Sequence, residues 1–243
     1  MGEPLGAEAE DGGYGMTRAS MKVSVYLEIG SKRVFAAALD WPGWSRSGRH
    51  EAAALAALFA YGRRYARAVQ LARLGFQPPS DPSVLVVAQR LKGDATTDFG
   101  APGGVPAIDA QPLDGADFRR HQAILSACWE ALDQAAAAAR TKTLRLGPRG
   151  GGRDLTEILQ HAIEADQAYL GRLGWKAPAL PDDPRKALPR LRTEIQTALA
   201  AAAQGEIPAK GPRGGKRWSP RTFIRRVAWH ALDHAWEIED RMA

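Results

Sequence analysis

Two of the five histidines, His230 and His234, stand four residues apart in VAWHALDHAWEIEDR, residues 227–241. The stretch has no helix breaker. On a helix turning about 100° per residue the two side chains lie about 40° apart, on one face. Imidazoles at i and i+4 converge on one point, the way a helix grips a divalent metal. Phe223, Val227, Glu237 and Arg241 share that stripe, whereas Trp229, Asp233, Trp236 and Asp240 form a neighbouring one. The histidine face is therefore partly apolar, with a charged layer at its C-terminal end. Two ligands do not complete a site. His161 is the candidate third, on a face with Glu157, Ile158, Glu164 and Ala165, where the small Ala165 and Ala168 admit a neighbouring helix. Three neutral imidazoles leave at least one position open for water or substrate, the arrangement of a catalytic rather than a structural site. Glu164 and Glu237 are the carboxylates placed to orient an imidazole N–H. The competing reading is plain: a histidine pair on a helix is often ordinary core or surface packing. His121, in FRRHQAIL, is a candidate fourth ligand or acid/base group, but its arginine neighbours suggest a solvated position. Cys128 reads as a small buried residue.

These residues need helices to place them. Four helical segments are predicted, over 114–140, 153–173, 183–204 and 219–242. Helices of about twenty residues are about 30 Å long, the dimensions of a four-helix bundle. Ser219 and Pro220 mark the start of the last one. Pro184 fits a first turn, and Pro189 is expected to delay or bend the third helix. His161 and the His230–His234 pair lie near the middle of their segments, so they meet at similar height whichever way the helices run. The N-terminal part reads differently. KVSVYLEI (22–29) alternates as a half-buried strand, RVFAAAL (33–39) can pair back on it, and DWPGW makes a turn into a short SRSG segment. One helix over 50–74, a strand over 83–91, and a last short strand running into a linker over 94–112 complete an α+β unit. The domain boundary is expected near residue 112.

Composition bounds the function classes. The chain has 243 residues, 45% hydrophobic and 25% charged, enough to bury a core. Residues 1–20 are acidic and Gly-rich and read as a disordered leader, not a signal peptide. One cysteine excludes an internal disulfide and fits a reducing cytoplasm. No run reaches the roughly 20 apolar residues of a membrane span. The net charge of +6 is spread over both halves without an aromatic–basic motif, so nucleic acid is an unfavoured partner.

Two resemblances follow from these residues. Asp40, Pro42, Gly43, Gly48, Glu51 and Ala52, in their strand–strand–turn–helix order, resemble the HicB-like fold over residues 21–91. His50 stands where that family has a hydroxyl residue before the helix, and reads as an N-cap. This resemblance implies a small α/β-sandwich domain over 21–112 with its linker. Residues 113–243, with His161 in the second helix and HALDHAWEIEDR in the fourth, resemble the DinB-like (YfiT-like) metalloenzymes. That resemblance implies an all-α four-helix bundle with a long crossover between helices two and three. It also implies His161, His230 and His234 as ligands of zinc or nickel, a mycothiol-, bacillithiol- or glutathione-type thiol, and transferase or isomerase activity, with homodimers common in both families. The alternative is a non-catalytic regulatory protein, whose sheet engages a protein partner while the bundle dimerises or senses a ligand. GPRGG occurs twice, at 147–151 and 211–215, each time in the loop before a histidine-bearing helix. Arg149, Arg153, Arg213 and Arg217 are candidate anion-binding residues there, for the carboxylate of a thiol or an acidic substrate, against the reading of a solvated loop.

Overall fold

The computed structural model describes residues 22–113, 115–146 and 152–242; the leader over 1–20, the first GPRGG loop and Arg149 with it lie outside them. The chain is mixed α+β. Strands β1 (Val23–Ile29), β2 (Val34–Ala38), β3 (Ser45–Gly48) and β4 (Leu85–Lys92) form one sheet in the order β3-β2-β1-β4. The hairpin β1–β2 is antiparallel, with Tyr26 opposite Ala37, and β4 lies parallel to β1. A parallel return needs a crossover, and α1 (Glu51–Ala60) and α2 (Gly62–Ala68) supply it. His50 caps α1 as expected, its Nδ1 accepting the Ala53 N–H at 3.2 Å.

Two segments differ from their sequence reading. The helix expected over 50–74 breaks at Tyr61 into α1 and α2, with only a 3-10 turn at Gln70–Ala72 beyond. Gly62 sits at the break, close under Trp44 and Pro79, where a side chain would meet Pro79 at 3.2 Å. Over 94–112 no strand forms. Asp94 instead caps a short helix, α3 (Ala95–Phe99), in a reciprocal pair with Thr97, and a 3-10 turn follows at Ala107–Ala110. Side-chain bonds to nearby backbone N–H groups compete with strand pairing in this way. Buried Glu28 then fixes the loop after α3, accepting the Thr97 hydroxyl and the Gly103 and Gly104 N–H groups at 2.9 and 2.7 Å.

The four long helices are α4 (Gly115–Ala139), α5 (Leu155–Leu173), α6 (Pro184–Ala203) and α7 (Pro220–Met242). Asp154 with Glu157 caps α5, Asp183 caps α6 with Pro184 in the first turn, and the Ser219 hydroxyl accepts the Thr222 N–H before α7. Pro189 lies inside α6 without delaying its start. Arg221 pairs with Asp117 where α7 and α4 begin, and Arg145 bonds to Arg241 beyond their other ends. These two helices therefore run parallel. The Trp218 N–H meets Arg172 O, so α7 begins where α5 ends and runs against it. The first turns of α5 and α6 border one groove, which makes them parallel and residues 174–183 a crossover along their length.

Helix α7 packs against α4, α5 and α6. Its Trp229 meets Phe35 of β2 edge-on, 6.3 Å between centroids. Arg225 pairs with the fully buried Asp109 and donates to Ala38 O and Leu39 O at 2.9 and 3.1 Å. The buried residues of the sheet and of the helices form one continuous core. No helix among the described residues is long and apolar enough to cross a membrane.

Candidate metal centre

The α7 stripe does what its spacing implies. Phe223 and Val227 are fully buried, and His230 and His234, both 6% exposed, follow on the same face towards α5. Their Nε2 atoms stand 3.1 Å apart. His161 reaches in from α5, its ring centroid 5.1 Å from that of His230 and 5.2 Å from that of His234. One ligand atom from each of the three lies within 4.8 Å of the others, close enough to hold a metal ion. Nitrogens bound to one tetrahedral zinc at about 2.0–2.1 Å are about 3.3 Å apart. The spacing of the α7 pair fits that requirement.

Hydrogen bonds settle which nitrogen of His234 faces the centre. Its Nδ1 lies 2.8 Å from Glu237 Oε2, so Nδ1 carries the proton and Nε2 points at His230. Glu237 is itself anchored, with its other oxygen accepting from Arg241 at 2.9 Å while Arg241 Nε donates to Arg145 O at 2.8 Å. The bond from His234 holds the Glu237 carboxyl below its ordinary range. Burial pushes the His230 imidazole well below its usual pKa, and the neighbouring His234 and His161 add to that. His161 is lowered too, first by burial and then by Arg153. Neutral imidazoles are the form that donates a lone pair to a metal.

The surroundings are asymmetric. Beside His230 the Tyr169 ring lies 5.8 Å away, and its Oη accepts from Arg226 Nε at 3.2 Å. Arg226 also donates to Pro102 O, so the loop that Glu28 fixes reaches the wall beside the histidines. His161 is the more exposed of the three histidines. It lines an open groove of ≈ 420 Å³ with Arg153, Gln160, Glu164 and Asp182. Glu164 accepts from Gln160 at 3.1 Å rather than orienting an imidazole.

No family model, curated protein or solved structure matches this chain.

The other residues singled out from sequence are placed elsewhere. Among the anion candidates, Arg153 borders the groove at His161. Arg217 lies at the far end of α5, packed against Gly174 and donating to Pro208 O at 3.1 Å. Arg213 is exposed in the turn closed by the Lys210–Lys216 bridge. His121 is buried rather than solvated, 4% exposed, with its Nδ1 2.8 Å from Asp117 O in the first turns of α4. Cys128 is fully buried and its thiol pKa is pushed up, so it is no nucleophile. Sequence reasoning missed Tyr169 and Arg226. Arg226 carries a legible signal, one turn before His230 on the same stripe; Tyr169 comes from another helix and carries none.

Proposed function

We propose that this chain is a DinB-like metal-binding protein, with a divalent ion, zinc or nickel, held by His161, His230 and His234. In this reading it is a metal-dependent transferase or isomerase that uses a low-molecular-weight thiol of the mycothiol, bacillithiol or glutathione kind. The observation that carries it is the convergence of three imidazoles from two helices, one of them fixed by a carboxylate bond from behind. The up–down–down–up course of α4 to α7, with its crossover, supports the same family.

The chemistry such an ion supplies is Lewis acidity, which lowers the pKa of a thiol or polarises a carbonyl. The residues divide the remaining work. Glu237 holds His234 in the tautomer that presents Nε2. Tyr169, Arg226 and Trp229 close the side of His230, leaving His161 and its groove as the open approach. Arg153 borders that approach and lends it a positive charge.

The test is a set of assays on metal-loaded protein with mycothiol, bacillithiol and glutathione against electrophilic acceptors. Turnover with one thiol, lost in His161→Ala, supports the proposal. Full metal loading with no turnover on any thiol would refute the transferase reading and leave a metal-binding protein.

A further inference from the structure

The second GPRGG loop has a definite shape. The Gly211 N–H donates to Gly215 O at 2.8 Å, and the Gly214 N–H donates to Gly211 O at 2.9 Å. Pro212 and Arg213 therefore fill the two middle places of a tight turn. Gly214 follows at φ 76°, the left-handed position that closes a three-residue hairpin loop. Below the turn Lys210 and Lys216 stand directly opposite each other in an antiparallel bridge, and the Arg217 N–H meets Ala209 O at 3.0 Å. The loop is a short ordered ribbon with Arg213 at its tip.

Its charges work against its own pairing. Residues directly opposite in an antiparallel pair share a face, with Cβ atoms about 4.5–5.5 Å apart, and like charges there are destabilising. The ribbon places two lysines in that position. A local rule broken without a compensating contact marks a functional surface. Lys210, Arg213 and Lys216 are exposed. At the foot of the ribbon Arg217 lies against Gly174, and Arg172 stands 6.0 Å from the Trp218 ring, so the positive strip continues onto the end of α5. None of these five cations forms an ion pair with a described residue. Glu206 is the only acidic side chain between residues 204 and 219. Charge that the sequence spreads over both halves is here gathered by the fold.

We propose that this ribbon is a docking surface for double-stranded nucleic acid, held through its phosphates. The cations lie in a row rather than around a point, which suits a line of charges better than a single anion. Three extended residues from Lys210 to Arg213 cover about 10 Å, roughly three phosphates along one strand. Single strands are gripped by stacking bases on aromatic rings, and the Trp218 ring is already taken up by Tyr169, 5.4 Å away, and Arg172. The tip residues Pro212, Arg213, Gly214 and Gly215 offer no large apolar side chain to a lipid surface.

The test is fluorescence anisotropy of the full chain with a labelled DNA duplex of about 20 base pairs, over a range of salt. If Lys210, Arg213, Lys216 and Arg217 each neutralise one phosphate, log K should fall against log salt with a slope of about −3.6. Affinity then drops about 150-fold between 50 and 200 mM salt. Replacing Lys210, Arg213 and Lys216 by Gln should flatten the slope to about −0.9. The Tm of that variant should not fall, because the change relieves the lysine pair. Replacing Arg63, Arg67 and Arg119 by Gln removes the same charge from other exposed positions and should leave the slope as in wild type. No binding at 50 mM salt would overturn the proposal, as would a control variant that flattens the slope equally. A lower Tm in the hairpin variant, or tighter binding to anionic phospholipid vesicles than to the duplex, would overturn it too.

Discussion

Glu237 gives the sharpest quantitative expectation for the metal centre. Its carboxylate fixes the His234 ring from behind at 2.8 Å and is tied to Arg241 at 2.9 Å. Removing the partner behind a ligating imidazole typically costs 10–100-fold in metal affinity, about 1.4–2.7 kcal/mol. The Glu237 side chain is 32% exposed, so solvent screens part of its charge. Glu237→Gln keeps the shape and one acceptor, and should fall at the low end, about tenfold weaker zinc binding. Glu237→Ala loses the acceptor altogether and should approach the upper end. Glu164→Gln is the control: that carboxylate bonds to Gln160, and zinc affinity should stay within about twofold. The assay is competition with a chromophoric zinc chelator at pH 7.5. If Glu237→Gln and Glu237→Ala match wild type while His230→Ala abolishes binding, the carboxylate does not position His234. It would then be only a partner for Arg241.

Three further outcomes follow from the buried polar groups and a tight turn. Arg225→Met leaves Asp109 buried without its cation and frees Ala38 O and Leu39 O. It should cost about 3–5 kcal/mol in denaturant unfolding; a loss under about 1 kcal/mol would mean that water replaces the guanidinium. Asp166 binds its proton more tightly folded, at about 7, than unfolded, at 3.8. Its stability contribution is therefore most favourable below pH about 4 and declines as pH rises towards 7. Asp166→Asn should remove that decline and stabilise the protein at pH 8 by about 2–4 kcal/mol, with little effect near pH 4; equal effects at both pH values would refute the assignment. Gly43 has φ 92°, and a side chain there meets Leu232 at 3.0 Å and Ala228 O at 3.3 Å. Gly43→Ala should lower stability by about 1–3 kcal/mol in thermal unfolding, and an unchanged Tm would count against this close approach of the DWPGW turn to α7.

Much of this architecture is legible in the sequence because it rests on local rules. The period-2 run KVSVYLEI, the Ser219-Pro220 start and the i,i+4 histidines each depend on a few neighbouring residues. The third histidine of the cluster, His161, is legible because both helices are long and place their histidines near mid-length. What was not legible depends on contacts distant in sequence. The break at Tyr61 follows from Trp44 and Pro79 pressing on Gly62. His121 is buried despite Arg119 and Arg120 beside it, because Arg221 and the start of α7 cover that turn of α4. The Asp94–Thr97 cap is a local signal that conflicts with a strand over the same residues. The buried Arg225–Asp109 pair, which ties the α3–α4 segment to α7 and β2, leaves no trace in periodicity, since an Arg on a helix next to apolar residues reads as solvated.

The most direct test of the account is metal content by mass spectrometry on tag-free protein, wild type beside His161→Ala, His230→Ala and His234→Ala. Close to one divalent ion per wild-type chain, zinc or nickel, is expected, with its loss in the two α7 variants and folding retained by circular dichroism. A wild-type chain that holds no metal after reconstitution with zinc and with nickel would contradict it, and the three imidazoles would then be a packed histidine cluster between α5 and α7.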